Sequence, residues 1–470
     1  MNTKESFIIE GLAGEKKLNG TVEINGAKNA ALKAMAAAVL FDGPVTLENI
    51  PDTEDVHTMK EVLEKLGAEV KWLVAKKGIS ANPNQSGSLS QTLTIDTSKI
   101  KSTSIDANLA KTMRASVVLT GPMLTRFHEV TFPAPGGCVI GARPINLFTE
   151  GYKKMGAIVT LDDSNCLYEM KCGSSLKGTE IFFEKISVGA TETLMMTAVL
   201  ANGKTILKNC AVEPEIGNVA EWLNECGANI TGIGTSTLEI EGTNGKLLSP
   251  KKSFVTIPDR IEAGSFLILG ALCAKELIIK NCRPDHLESV ISSLKDSGVP
   301  ITIKTSASDT DHLKLGEIYI TNNVKPNSSF KSFNIKTQEY PGFPTDLQAQ
   351  MVTFLTQVSG ESAVMETIFE GRFKYVEDLS NMGADIISMN PLEIRVKGPT
   401  PLKQLPDDEE LNAHDIRAGF AIVLAALVGK GKFKVNNIHL IDRGYEKLEE
   451  RLRDLGAKIE RSLGRIVNGQ

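Results

Sequence analysis

Apolar and polar residues alternate along the chain in a pattern that recurs six times. The phrases LEKLGAEV, YKKMGAIV, LNECGANI, LKDSGVPI, LSNMGADI and LRDLGAKI each run from helical spacing into a glycine, at 67, 156, 227, 298, 383 and 456, and then into an extended pattern. They predict an amphipathic helix stopped by a residue that tolerates the left-handed conformation, followed by a strand. Upstream stand a short strand and a turn: VTLENIPDTEDV, TILKNCAVEPEI, LIIKNCRPDHL, AVMETIFEGRF and FKVNNIHLIDRG. Before those come helices apolar on nearly every side, NAALKAMAAAVL, TETLMMTAVLA, EAGSFLILGAL and IRAGFAIVLAAL. A helix without a polar face belongs in an interior.

Successive glycines lie 89, 71, 71, 85 and 73 residues apart. The repeated unit is therefore a buried helix, strand, turn, amphipathic helix, glycine and strand. It is longer than the roughly 20–50 residues of a solenoid repeat, which predicts small α/β subdomains packed around shared helices. The Gly/Pro/Lys/Ser-rich stretch EGTNGKLLSPKKS (241–253) separates the third copy from the fourth. Two domains of three repeats each are expected: residues 1–27 with 254–470, and residues 28–253.

Composition narrows the function. The chain has 470 residues, 41% hydrophobic and 23% charged, with a net charge of -5. Such a balance offers no basic excess to displace phosphate counterions, so a nucleic-acid partner is not expected and any anion site must be local. The N-terminal MNTKESFIIEGLAGEKK contains only a four-residue apolar patch, and the apolar helical run Ala190 to Ala201 stays well short of the about 20 residues that cross a bilayer. Neither a signal peptide nor a membrane anchor is predicted, and a cytoplasmic location is expected.

Seven cysteines, at 138, 166, 172, 210, 226, 273 and 282, form no CxxC pair and no zinc-type spacing. Free thiols are expected, with Cys210, Cys226, Cys273 and Cys282 read as small buried hydrophobes. Cys138 stands apart, in the loose run FPAPGGCVIGARPINLF.

Charged residues gather where the buried helices begin. Lys28-Asn29 open the first, Lys111 and Arg114 the second, Ser187-Val188-Gly189 the third, Pro258-Asp259-Arg260 the fourth, Thr345-Asp346 the fifth, and Asp415 with Arg417 the sixth. Helix N-termini favour anions through unpaired N–H groups and the aligned dipole. Asp and Ser are also ordinary N-caps, and Lys and Arg ordinary solvated flanks. Five cations at equivalent helix starts nevertheless predict a cleft for a multiply charged anion. Arg143, Arg372 and Arg443 stand in turns; guanidinium groups there suit phosphate and carboxylate, or pair with the neighbouring Glu370 and Asp442.

The phrases NGAKNAALK (25–33), KTMRAS (111–116), PGGCVIGARP (135–144), SVGATETLMM (187–196), EPEI (213–216), PDRIEAGSF (258–266), FPTDLQAQ (343–350), FEGRF (369–373), HDIRAG (414–419) and HLIDRGYEKLEERL (439–452) together resemble the UDP-N-acetylglucosamine enolpyruvyl transferases of bacterial wall synthesis. The match runs in one order from about residue 8 to 465. Shikimate enolpyruvyl transferases share the fold but lack the PGGC loop and the GAKN opening. The resemblance implies a two-domain inside-out α/β barrel of six βαββαβ-type repeats with an active cleft between the domains. It implies transfer of the enolpyruvyl group of phosphoenolpyruvate to a sugar 3-hydroxyl, with phosphate released and no metal or organic cofactor. Such chemistry needs a general acid and a general base.

Residue by residue, Cys138 matches the family's reactive cysteine on a lid loop, a proton donor able to form an adduct with phosphoenolpyruvate. Asp346 matches the group proposed to deprotonate the attacking hydroxyl. Lys28, Arg143, Arg372, Arg417 and Arg443 match positions that bind phosphoenolpyruvate or clamp the closed state, with Asp415 as their partner. Asn29 and Arg114 match positions near the sugar and cleft. Lys185, Ser187, Val188 and Gly189 match the diphosphate site at a helix N-terminus. Ile368 matches a backbone contact to the nucleotide sugar.

The chain departs from the family at the nucleotide end. Asn146 stands where an aspartate usually accepts a hydrogen bond from the uracil imide, and Phe148 where a histidine is common. Asn146 keeps a carbonyl acceptor and loses the charge. UDP-N-acetylglucosamine is the expected acceptor; another nucleotide or nucleotide sugar, or a noncatalytic nucleotide-sugar-binding role, stays open at this point.

Overall fold

Among the described residues six sheets carry the six copies, three in each of two compact units, residues 5–24 with 258–463 and residues 25–133 with 145–257. The computed structural model describes the chain apart from residues 1–4, 75–90, 134–144, 163, 306–313, 323–325, 407–409 and 464–470.

In the first unit each sheet has four strands, ordered Ile301–Thr305, Gly316–Thr321, Ala274–Cys282, Leu18–Glu23; Ile335–Lys336, Gly360–Met365, Glu393–Gly398, Asp385–Asn390; and Leu411–Asn412, Lys432–Asn436, Glu5–Glu10, Lys458–Leu463. One edge strand of each is parallel to its neighbour and the other pairs are antiparallel. The apolar helices Arg260–Cys273, Gln348–Leu355 and Ile416–Val428 lie inside: every residue after Arg260 is buried in the first, all of the second, and all but Ile416 in the third. These helices have no face that tolerates water, so the sheets cover them.

The second unit repeats the plan. Its sheets run Phe254–Val255, Val45–Ile50, Gln91–Asp96, Glu69–Val74; Asn229–Thr231, Thr237–Glu241, Lys204–Lys208, Glu180–Phe182; and Glu129–Pro133, Leu167–Lys171, Ile158–Asp162. In the three-stranded sheet a parallel bridge from Ser104 to Thr131 stands where the others have a parallel edge strand.

All six glycines after the amphipathic helices have positive φ, between 96° and 110°. Four asparagines at the ends of equivalent strands, Asn49, Asn209, Asn281 and Asn437, are also left-handed, with φ of 56°, 59°, 52° and 57°. Asparagine is among the non-glycine residues that enter this region most readily. Asn49 Nδ2 donates to the Thr256 carbonyl at 2.8 Å, tying the turn to the edge strand of its own sheet.

The order is βαβαββ in the third and fifth copies, seen whole, where the resemblance implied βαββαβ. The short edge strands carry no periodicity and some come from remote sequence: Leu18–Glu23 precedes its buried helix by more than two hundred residues, and Glu5–Glu10 completes the last sheet. The second buried helix is also broken. Lys111 stands in the last turn of a short helix, Ala107–Thr112, and Arg114 begins a 3-10 turn after Met113 leaves helical geometry; the long buried piece is Thr120–Phe127. Two of the expected helix-start cations therefore flank a break.

Candidate active site

Within the first unit the structure gathers Asp346, Arg372, Asp415 and Arg417. Asp346 sits in the 3-10 turn Thr345–Leu347 that leads into the buried helix Gln348–Leu355. Arg372 Nη2 donates to Asp346 Oδ1 at 2.7 Å, and Arg417 Nε lies 3.3 Å from Oδ2. Both arginine side chains are almost wholly buried, whereas Asp346 is 28% exposed. Burial works against each guanidinium charge. For Arg372 the carboxylates of Asp346 and Asp415 outweigh it, and for Arg417 the contributions of Tyr445 and Asp346 do, so both hold their protons more tightly than a free arginine.

Asp415 caps the helix Ile416–Val428, its Oδ1 accepting from the N–H groups of Arg417 and Ala418 at 2.7 and 3.0 Å. That cap fixes the first turn, and with it the Arg417 side chain. Among the described residues, Nη1 of Arg417 is buried and meets no hydrogen-bond acceptor. A buried charged donor in that condition costs of order 1–3 kcal/mol, which an anionic oxygen would recover. Arg443 is half-buried at the end of the His439–Asp442 helix. The neighbours offered by sequence are not the partners seen: Asp442 is held by Arg461, and Arg372 turns to Asp346 rather than Glu370.

Ile368 follows the strand Gly360–Met365, and its N–H donates to Glu366 Oε1 at 2.9 Å. The Glu366 carboxylate is fully buried and also receives the hydroxyls of Thr337 and Thr345.

The second unit holds the remaining described candidates. Lys28 opens the helix Lys28–Ala37 and its Nζ donates to Asp55 Oδ2 at 2.9 Å, both side chains buried. Gly26, two residues before Lys28, passes close to another backbone: a Cβ there would stand 1.8 Å from the Asn49 carbonyl oxygen. Asn29 and Arg114 are half-buried. Ser187 caps the helix Val188–Val199 through Ala190 N at 3.3 Å, so the N–H groups of Val188 and Gly189 precede the first intrahelical bond; Lys185 just upstream is exposed. Asn146 begins the helix Asn146–Lys154 and is exposed, while Phe148 is buried with its ring 3.1 Å from where a Gly189 Cβ would be. Phe148 is thus packed against the N-terminus of the Val188–Val199 helix, with Asn146 two residues before it on its own helix. Cys138 and Arg143 lie outside the described residues.

Sequence comparison decides the family. The family described as EPSP synthase (3-phosphoshikimate 1-carboxyvinyltransferase) matches residues 12–452. The chain belongs to this enolpyruvyl transferase family. A UDP-N-acetylglucosamine 1-carboxyvinyltransferase from Koribacter versatilis is 42% identical over 97% of this chain and 96% of its own length. One from Campylobacter hominis is 41% identical over 96% and 98%. Among solved structures, the enolpyruvyl transferase NikO from Streptomyces tendae aligns with a TM-score of 0.81 at 21% identity, covering 98% of this chain and all of that one. EPSP synthase from Acinetobacter baumannii aligns at 0.69 and 16%, covering 97% of this chain and all of its own. These structural likenesses show that the fold is the two-domain α/β fold of enolpyruvyl transferases.

In this enolpyruvyl transferase several polar groups escaped the sequence reading. Asp55 lay in a stretch read only as a turn leading into a helix. Glu366 is a lone acid after an apolar strand, and Tyr445 and Gln350 look like framework. Yet Tyr445 OH lies 2.8 Å from Ser265 Oγ, Gln350 Nε2 donates to both, and the Arg417 guanidinium lies 5.3 Å from the Tyr445 ring centroid. A buried acid or amide after an apolar run was the available signal, since such a group needs a partner.

Proposed function

We propose that this transferase moves the enolpyruvyl group of phosphoenolpyruvate to the 3-hydroxyl of UDP-N-acetylglucosamine, with phosphate released. The observation that carries the reading is the placement of Asp346 between two buried arginines, one with a guanidinium nitrogen to spare. Relatives named for this reaction, about 40% identical over nearly the whole chain, support it.

In this reading Arg372, Arg417, Lys28, Arg143 and Arg443 take the phosphate and carboxylate of phosphoenolpyruvate, and Asp415 sets Arg417 through the helix cap. Asn29 and Arg114 serve the sugar, while Lys185 and the N-terminus of the Val188–Val199 helix take the diphosphate. Asn146 faces the base, and the Ile368 carbonyl remains for the nucleotide sugar because its N–H is taken by Glu366. Asp346 accepts the proton of the sugar hydroxyl as its oxygen attacks C2, and Cys138 delivers a proton to C3. The tetrahedral adduct then loses a proton from C3 and expels phosphate. No residue in this scheme requires a metal. The reaction belongs to bacterial wall synthesis, in the cytoplasm.

The test is phosphate release from phosphoenolpyruvate with UDP-N-acetylglucosamine, compared with UMP, UDP-glucose and other nucleotide sugars. Turnover with UDP-N-acetylglucosamine alone is expected. Turnover only with another acceptor would move the assignment to that acceptor, a second reading favoured by Asn146 and Phe148; no turnover with any would leave nucleotide-sugar binding. Incubation with the epoxide fosfomycin and nucleotide sugar should place the adduct on Cys138 by mass spectrometry; another cysteine would count against the lid assignment.

A further inference from the structure

We infer that Glu366 is a positioning residue that ties the turn presenting Ile368 to the Asp346–Arg372 pair, so that one buried carboxylate sets both the acceptor contact and the base. The inference rests on the function proposed above and extends it to a residue that has no role of its own in binding or chemistry there.

Glu366 follows the last residue of the strand Gly360–Met365 and is 0% exposed. Its Oε1 accepts from Thr337 Oγ1 at 3.0 Å and from the N–H groups of Ile368 and Phe369 at 2.9 and 3.1 Å. Its Oε2 accepts from Thr345 Oγ1 at 2.9 Å. Thr345 has one hydroxyl proton, and Glu366 receives it. The Thr345 oxygen is thereby turned to accept from Arg372 Nη1 at 3.1 Å, while Nη2 of the same guanidinium holds Asp346 Oδ1 at 2.7 Å. The polarity of the chain is set at Glu366: a carboxylate accepts on both oxygens, and an amide cannot. With an amide oxygen at Oε1, the NH2 group faces Thr345. The threonine hydroxyl must then reverse, and its proton turns toward Arg372, which offers only donors. Arg372 loses that anchor, and its grip on Asp346 shifts with it. A misplacement of about 1 Å at such a site costs on the order of 100-fold in rate.

The experiment compares Glu366→Gln, Thr345→Val and their double variant with the parent, measuring kcat and KM for UDP-N-acetylglucosamine and Tm for each. A Glu366→Gln fall in kcat of about 10- to 100-fold is expected, with KM changed less than about threefold because the amide oxygen still holds the Ile368 turn. Thr345→Val should cut kcat to a similar extent, and the double variant should be no slower than the slower single, because both break one chain. Ile320→Ala, in the core of the same unit, controls for stability: it should lower Tm with kcat per folded molecule unchanged. Parent turnover with an unchanged kcat in Glu366→Gln, or additive losses in the double variant, would overturn the inference alone. A parent inactive with every acceptor would overturn the proposed function and this inference with it.

Discussion

Arg372 donates to Asp346 Oδ1 at 2.7 Å from a side chain that is 4% exposed, while the carboxylate it holds is 28% exposed. The pair thus has a rigid buried end and an accessible working end. Asp346→Asn should lower the rate of phosphate release by about 10²- to 10⁴-fold, as loss of a general base does. Asp346→Ala should also cost about 3–5 kcal/mol of stability, because Arg372 and Arg417 are left buried without their shared carboxylate. Steady-state kinetics and chemical denaturation separate the effects; parent kcat in Asp346→Asn would remove Asp346 from the chemistry.

Lys33 and Glu192 form a second buried pair, 3.3 Å apart, in the unit that carries Lys28. Well above pH 7, where Glu192 is ionised, Lys33→Met should cost about 3–5 kcal/mol, since it strands that carboxylate in the interior, whereas Lys33→Met with Glu192→Leu should come within about 1 kcal/mol of the parent. Urea titration of the three proteins measures this, and a double variant as weak as the single would refute it.

Burial pushes the Glu192 carboxyl up from 4.5 to about 7, with Lys33 opposing and Glu215 and Glu213 adding to the rise. The folded protein therefore holds a proton that the unfolded chain releases. This contribution to stability is full below about pH 4.5 and is lost as pH rises to about 7. A plot of Tm against pH should fall across that window in the parent and be flatter in the Lys33→Met, Glu192→Leu protein.

His414 Nε2 and Asp378 Oδ2 lie 2.6 Å apart, beside the cap residue Asp415. The hydrogen bond to Asp378 raises the histidine above its usual value, with burial opposing. Its stabilisation is full below the unfolded value of about 6.5 and disappears as pH rises through the higher folded value. The Tm difference between parent and His414→Asn should thus be largest below pH 6.5 and shrink above it; a difference that grows with pH would contradict the pairing.

Gly26→Ala probes the GAKN phrase. Its Cβ would meet the Asn49 carbonyl at 1.8 Å, a backbone atom fixed by its turn. A loss of about 1–3 kcal/mol or more is expected, together with weaker substrate binding through displaced Lys28. Calorimetry and KM measurements test both, and a parent-like KM would detach the glycine from the site.

Much of the molecule was legible because its signals are local. A helix apolar all round must be buried whatever surrounds it, and a glycine after an amphipathic helix supplies the left-handed turn, so six copies and their helices could be read from spacing. The break at Met113 was not, because KTMRAS carries neither glycine nor proline. The sheet order was hidden for another reason: two-residue edge strands such as Phe254–Val255 have no period to detect.

By itself the sequence determined which residue types stand at the helix starts, Asp346, Arg417 and Lys28 among them, and which helices are interior. The tertiary structure alone decided who meets whom. Arg372 reaches Asp346 across 26 residues, Lys28 reaches Asp55 across 27, and Thr345 reaches Glu366 across 21. Hydrogen bonds and ion pairs act over a few ångströms of space and are indifferent to separation along the chain, so their partners are settled only once the helices and sheets have packed.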